Sequence, residues 1–255
     1  MNTLLKAHDI SVSYGERPAL RGVDVSICPG EIVALLGPNG SGKSTLIQSL
    51  FGHLPSSGNI EWFGKSLTSW NRRELARELA YLPQTPAFEP GQRVADVLRL
   101  GRSPYWSAFG IESARDETIV RSVAKQLGLT DLLDRPMAEL SGGQRQRIFV
   151  GRCLVQEPAA LLLDEPNTYL DLKHQVELCK LLRGLASTQS IGVIMALHDL
   201  NLASTFADRV VLLNNGAIAA AGTIDVLQPE LLATVYGLPM TRIEQAGGKP
   251  IFVHA

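Results

Sequence analysis

The chain lacks nearly everything that would mark a disulfide scaffold, a membrane span or a nucleic-acid binder. Its 255 residues hold only three cysteines, Cys28, Cys153 and Cys179, far apart and with no CxxC pair. Neither a disulfide framework nor a zinc knuckle is expected, and the three read as small buried apolar residues in a reducing compartment. Net charge is almost absent, with 24 Lys+Arg against 25 Asp+Glu. A chain that lives on nucleic acid carries a basic excess, so no nucleic-acid partner is expected. The opening MNTLLKAHD has no apolar h-region, so no signal peptide is expected. The longest apolar stretches, around residues 32–36, 159–163 and 191–197, fall well short of the ~20 that cross a bilayer. Repeats and low-complexity tracts are missing too. These absences predict a soluble, cytoplasmic protein that needs another chain to span any membrane it serves.

What is present is the rhythm of an α/β sheet, short apolar runs alternating with helical stretches. Strands are expected at residues 4–13, 23–27, 31–36, 59–63 and 78–82, and helices at 44–51 and 70–79, the second with Arg72, Arg73, Glu74 and Arg77 on an exposed face. From about residue 85 to 140 the strand pattern gives way to helical segments near 94–100, 114–127 and 131–133, which read as an insertion into the α/β core. Continuous apolar runs at 160–163 and 191–197 predict strands covered on both faces. Residues 210–213 and 217–221, joined by Asn214-Asn215-Gly216, read as a hairpin.

The strongest chemical signal is Gly37-Pro38-Asn39-Gly40-Ser41-Gly42-Lys43-Ser44-Thr45. It fits GxxxxGK[ST] and lies between an expected strand and an expected helix, the context that phosphate loop requires. Glycines let backbone N–H groups converge on phosphate oxygens, and the helix N-terminus adds positive potential. Lys43 would neutralise the β- and γ-phosphates, and the Ser44 hydroxyl would ligate Mg²⁺. The alternative is a glycine-rich turn with a chance lysine. A second signal, Leu161-Leu162-Leu163-Asp164-Glu165, puts two carboxylates at a strand's C-terminal end, where α/β ligands bind. One acid suits Mg²⁺, and the other an attacking water; the alternative is a pair that only caps the next helix. The third signal is Leu140-Ser141-Gly142-Gly143-Gln144, opening a helix with bare amides and a hydroxyl, a second anion-binding surface.

Together these motifs resemble ATP-binding cassette ATPases over essentially the whole chain. The resemblance implies a P-loop core with an antiparallel β subdomain, both within residues 1–84 and 159–255, and a helical signature subdomain over 85–158. It implies ATP and Mg²⁺ as ligands. Tyr14 matches the aromatic that stacks on adenine, Gln84 the glutamine that contacts Mg²⁺, Asp171 the loop that crosses a dimer interface, and His198 the histidine that touches the γ-phosphate. Asn167 stands where the family often has Thr, and Gly151 and Cys153 where it has alanines; none of these departures removes a catalytic group. His8, His53, His174 and His254 have no metal-ligand spacing and are expected to be structural or solvated.

The family sandwiches two nucleotides between two cassettes. One loop and one signature per chain therefore imply a homodimer, with 141–143 of each copy facing the other's loop. Pro90-Gly91-Gln92-Arg93-Val94, Gly101-Arg102-Ser103-Pro104, the segment 164–175, His198-Asp199-Leu200-Asn201 and Val235-Tyr236-Gly237 are similar to importers of ferric siderophores, haem and cobalamin. That subgroup implies polytopic permease subunits, an extracytoplasmic substrate-binding protein and a place on the cytoplasmic face of the inner membrane. Importers of other metals or solutes, a soluble cassette acting in translation or DNA repair, and a phosphate-loop kinase are the competing readings. Phe88, Tyr105, Trp106 and Phe109 cluster early in the insertion and read equally as a patch for a membrane subunit's coupling helix or as the insertion's own small core.

Overall fold

Alternation of polar and apolar residues makes strands with one dry face, whereas unbroken apolar runs make strands covered on both. Both kinds occur here. In the computed structural model, which describes residues 3–107, 113–246 and 248–254, β1 (Leu5–Tyr14) pairs antiparallel with β2 (Arg17–Ile27). There follow β3 (Ile32–Leu36), α1 (Lys43–Phe51), β4 (Ser57–Trp62) and the two-residue β5 (Lys65–Ser66). The order β2-β1-β4-β5 makes a four-stranded antiparallel sheet. β2 starts at Arg17 instead of the expected residue 23. Pro18 contributes no N–H to a ladder, yet it is tolerated because β2 lies at the sheet's edge.

The second sheet builds the site. α2 (Arg72–Glu78) leads into β6 (Leu79–Leu82), and β7 (Ala160–Leu163), β8 (Gly192–Ala196), β9 (Arg209–Asn214) and β10 (Ala217–Gly222) complete the set. Their order is β10-β9-β3-β8-β7-β6, with β9 through β6 parallel and β10 antiparallel at one edge. β3 is wholly buried. Its Ile32, Ala34 and Leu36 enter the core beneath the helices, and Val33 and Leu35 enter the core shared with the antiparallel sheet. β7 and β8 divide their side chains in the same way. Because the five parallel strands run in one direction, the loops after β3, β6, β7 and β8 emerge at one edge.

Between β6 and β7 lie α3 (Val94–Leu100), α4 (Ala114–Gln126) and α5 (Gly142–Leu154). Their packing is close. A Cβ on Gly101 would lie 2.1 Å from the Arg152 carbonyl oxygen, and one on Gly151 would lie 2.9 Å from side-chain atoms of both Leu98 and Leu127. The glycine at 151 thus lets α5 sit nearer its neighbours than an alanine allows. Arg102, 2% exposed, bonds to Asp116 at 2.8 Å, to the Val155 carbonyl and to Glu157. Phe88 packs on Phe149, and the Arg102 guanidinium lies 3.9 Å from the centre of the Tyr105 ring. Those contacts fit the small-core reading of the aromatic cluster; Phe109 lies outside the described residues.

After β7 come α6 (Leu172–Gln189) and, beyond β8, α7 (Leu200–Phe206). The chain ends with α8 (Pro229–Tyr236) and a hairpin of β11 (Met240–Ile243) with β12 (Ile251–His254). Among the described residues no helix is long and apolar enough to cross a membrane. Cys153 and Cys179 are buried, and burial pushes both thiols up to about 11; Cys28 is only half-buried.

Candidate active site

The turn from β3 into α1 needs backbone that only glycine adopts without strain. Gly42 precedes the helix at φ 108, and a Cβ there would lie 2.8 Å from a Leu20 methyl. No side chain caps α1, so its first amides are left to bind an anion. Lys43 is 5% exposed, and its ammonium donates to the carbonyls of Gly37 at 2.8 Å and Pro38 at 3.2 Å. Burial lowers its pKa, opposed by the nearby charges of Glu165 and Asp164.

β7 delivers the two acids. Asp164 is 1% exposed; its Oδ1 accepts the Ser44 hydroxyl at 2.9 Å, and its Oδ2 is buried with no hydrogen-bond partner. Burial raises its pKa; the Ser44 bond opposes this, and repulsion from Glu165 adds to it. An orphaned carboxylate oxygen beside a hydroxyl is a hard-oxygen donor set that fits Mg²⁺. Glu165 has φ 51, a conformation an ordinary residue adopts at a cost and one that clusters at functional sites. Its carboxylate is gripped from two strands: Gln84, just past β6, donates at 2.8 Å, and His198 Nε2, just past β8, lies 2.7 Å away.

Most of these groups border a cleft of about 1180 Å³. Tyr14, Asn39, residues 40–45, Gln84, Glu165 and His198 line it, together with Arg17, Arg21, Asn215 and Gly216. Tyr14 is 53% exposed at its mouth. The two arginines escaped sequence reasoning because they lie in the part of β2 before residue 23, which sequence reasoning did not read as strand, and a lone charged residue there has no distinguishing pattern. Another residue missed is Tyr236, whose hydroxyl accepts the Gly37 N–H at 3.1 Å.

The third motif lies elsewhere. Ser141 Oγ accepts the Gln144 N–H at 3.2 Å and Gln144 Oε1 accepts the Ser141 N–H at 3.0 Å, a capping box that starts α5. A Cβ on Gly142 would lie 3.1 Å from Tyr169 Cβ, so Gly142 and Gly143 pack on the turn after Glu165, and Gln146 donates to the Pro166 carbonyl at 3.0 Å. The Asn167 carbonyl accepts the Leu170 N–H within that turn. Asp171 caps α6, its Oδ1 accepting the His174 N–H and lying 2.8 Å from the His174 ring. Of the expected site residues, Ser141, Gly142, Gly143, Gln144 and Asp171 do not line the cleft, nor do Gly37, Pro38 and Asp164, which are tied to it through Lys43 and Ser44. The structure therefore gathers the phosphate loop, both acids, Gln84 and His198, while Ser141, Gly142 and Gly143 start α5 against the turn after Glu165 and do not line the cleft.

Residues 20–168 match the family model described as ABC transporter. The chain is 36% identical over 92% of its length to an iron(3+)-hydroxamate import ATP-binding protein of Bacillus subtilis, covering 88% of that protein. It is 40% identical to a hemin import ATP-binding protein of Gloeobacter violaceus, over 92% of this chain and 88% of that one. A chain from a metal-chelate type ABC transporter, solved in an inward-facing conformation, superposes with a TM-score of 0.86 at 29% identity, over 100% of this chain and 98% of the other.

Proposed function

The chain belongs to the ABC transporter family and is an ATP-hydrolysing cassette of it, and from that premise we propose that it powers a membrane importer of an iron chelate (a ferric siderophore or haem) or of cobalamin. The observation that carries this reading is likeness over nine tenths of the chain to proteins named for importing iron hydroxamate and hemin. Two copies would associate when ATP binds, on the cytoplasmic face of the inner membrane. They would drive polytopic permease subunits supplied by an extracytoplasmic substrate-binding protein. In this reading residues 1–84 and 159–255 are the catalytic core with its β subdomain, and 85–158 the helical lobe that carries the signature.

The site's chemistry supports hydrolysis by charge neutralisation and positioning. Lys43 and the amides of the loop and of α1 hold the phosphates, and Tyr14 stacks on the base. Ser44, the free oxygen of Asp164 and Gln84 would hold Mg²⁺, which when bound neutralises phosphate charge. Glu165, held by Gln84 and His198 in the nucleotide-free site, accepts the proton of the attacking water, and His198 holds the γ-phosphate that the water attacks. Ser141 and Gly143 of the second copy would close the site, with Asp171 at the contact between copies; that none of Ser141, Gly142 and Gly143 lines its own chain's cleft supports this.

Burying the Asp164 charge without a partner for Oδ2 costs the nucleotide-free protein stability. Asp164→Asn is accordingly expected to raise its thermal midpoint by about 2–4 °C and to abolish the further rise that MgATP, but not ATP with EDTA, gives wild type. A midpoint below wild type, with the MgATP response intact, contradicts the Mg²⁺ assignment.

The importer reading is tested by tagging the chain and recovering it from gently solubilised membranes of its host. Co-elution of a polytopic membrane protein supports it. A soluble ribosomal or nucleic-acid complex in its place overturns transport and leaves the ATPase chemistry standing.

A further inference from the structure

Val235-Tyr236-Gly237 has no part in the chemistry so far. Tyr236 is the last residue of α8, and Gly237, at φ 72, ends the helix. The phenol is half-buried and its hydroxyl accepts the N–H of Gly37, a buried residue 199 positions away in the chain. Burial raises the phenol's pKa, against a smaller opposite effect of the Gly37 bond, so the hydroxyl stays neutral through the physiological range.

Gly37 is where the phosphate loop begins, and it has little freedom. Its φ is 136, and a Cβ there would lie 2.2 Å from the Leu213 carbonyl oxygen and 2.7 Å from Ser41 Oγ. Both of its backbone polar groups are engaged: the N–H bonds to Tyr236 and the carbonyl accepts the Lys43 ammonium at 2.8 Å. A single residue thus joins the Tyr236 hydroxyl to the charge that meets the phosphates.

The segment that carries Tyr236 is itself anchored beside the site. Asn201, three positions after His198, accepts the Phe252 N–H at 2.8 Å and donates to the Phe252 carbonyl at 3.1 Å, and Ser204 Oγ donates to the Pro250 carbonyl at 2.7 Å. The chain after β10 therefore touches the phosphate loop through α8 and the helix following His198 through β12.

We propose that Tyr236 is a positioning residue for ATP binding, its hydroxyl fixing Gly37 and through it the loop and the Lys43 ammonium. The inference rests on the phosphate loop being the nucleotide site. Removing the hydroxyl leaves a buried N–H unpaired, a penalty the loop relieves by moving away from its phosphate-binding shape.

Tyr236→Phe removes only that hydroxyl and keeps the packing. Steady-state ATPase assays of the full chain are expected to show KM for MgATP raised about three- to tenfold, with kcat within about twofold of wild type. A fluorescent ATP analogue should bind the nucleotide-free protein more weakly by the same factor. Val235→Ala separates positioning from plain packing: Val235 is buried in the same helix, so its truncation should lower the thermal midpoint and leave KM unchanged. Lys43→Ala, measured in parallel, separates the two levels of the argument. If it loses binding while Tyr236→Phe keeps the wild-type KM, the role of Tyr236 is overturned and the nucleotide site stands. If Lys43→Ala itself binds like wild type, the site assignment falls and this inference with it.

Discussion

Glu165→Gln is expected to lower ATP turnover by about 10²–10⁴-fold, the usual worth of a positioned general base, while ATP binding stays within a few-fold of wild type. The reason lies in what surrounds the carboxylate. It is one of two acids at the end of β7, and the other, Asp164, is already engaged by Ser44. Glu165 is held by neutral or basic partners from both flanking strands, Gln84 at 2.8 Å and His198 at 2.7 Å. Glutamine keeps the shape and one acceptor oxygen but cannot take a proton, so the chemical step is lost and the binding surface kept. Single-turnover hydrolysis and equilibrium ATP binding on the same preparation separate the two. Near-wild-type hydrolysis in this variant contradicts the general-base role, and equal loss of both functions points to a misfolded loop.

Lys43→Ala is expected to act on the other side of that division, weakening ATP binding by about 10²–10³-fold. An ammonium that is 5% exposed would meet phosphate oxygens where water screens little, so its charge-assisted bonds to them would be strong. Burial already disfavours the charged form, which means that the nucleotide-free protein carries a cost that bound phosphate relieves. The loss should therefore appear in affinity and not in the fold, and circular dichroism should be unchanged. Calorimetric titration with MgATP checks it; affinity within threefold of wild type contradicts the assignment.

The chemistry was legible in the sequence wherever it is local. The phosphate loop, the Asp164-Glu165 pair and the Ser141 helix start are contiguous signals, each read with a strand or helix beside it, and the apolar runs of β3, β7 and β8 announce strands buried on both faces. Contacts between distant segments were not legible. That Gln84 and His198 meet on one carboxylate follows from β6 and β8 flanking β7 in the sheet, and strand order is not written in any one strand. The Tyr236–Gly37 bond depends on where α8 lands, so the Val235-Tyr236-Gly237 segment could be singled out by resemblance but its contact with the phosphate loop could not. The first six residues of β2 lack a strand signal because Arg17 and Pro18 interrupt the alternation, and only their pairing with β1 makes them strand. The β11–β12 hairpin is too short, and too exposed along Ile243 and Val253, to show a buried face.

We propose that the site is finished by a second copy of the chain, because none of Ser141, Gly142, Gly143 and Gln144 lines its own chain's cleft. Sedimentation velocity of Glu165→Gln at micromolar concentration tests it most directly, since this variant is expected to bind ATP without consuming it. The account predicts a monomer without nucleotide or with ADP, and a dimer with MgATP. A monomer that persists when ATP is bound at saturation would contradict it.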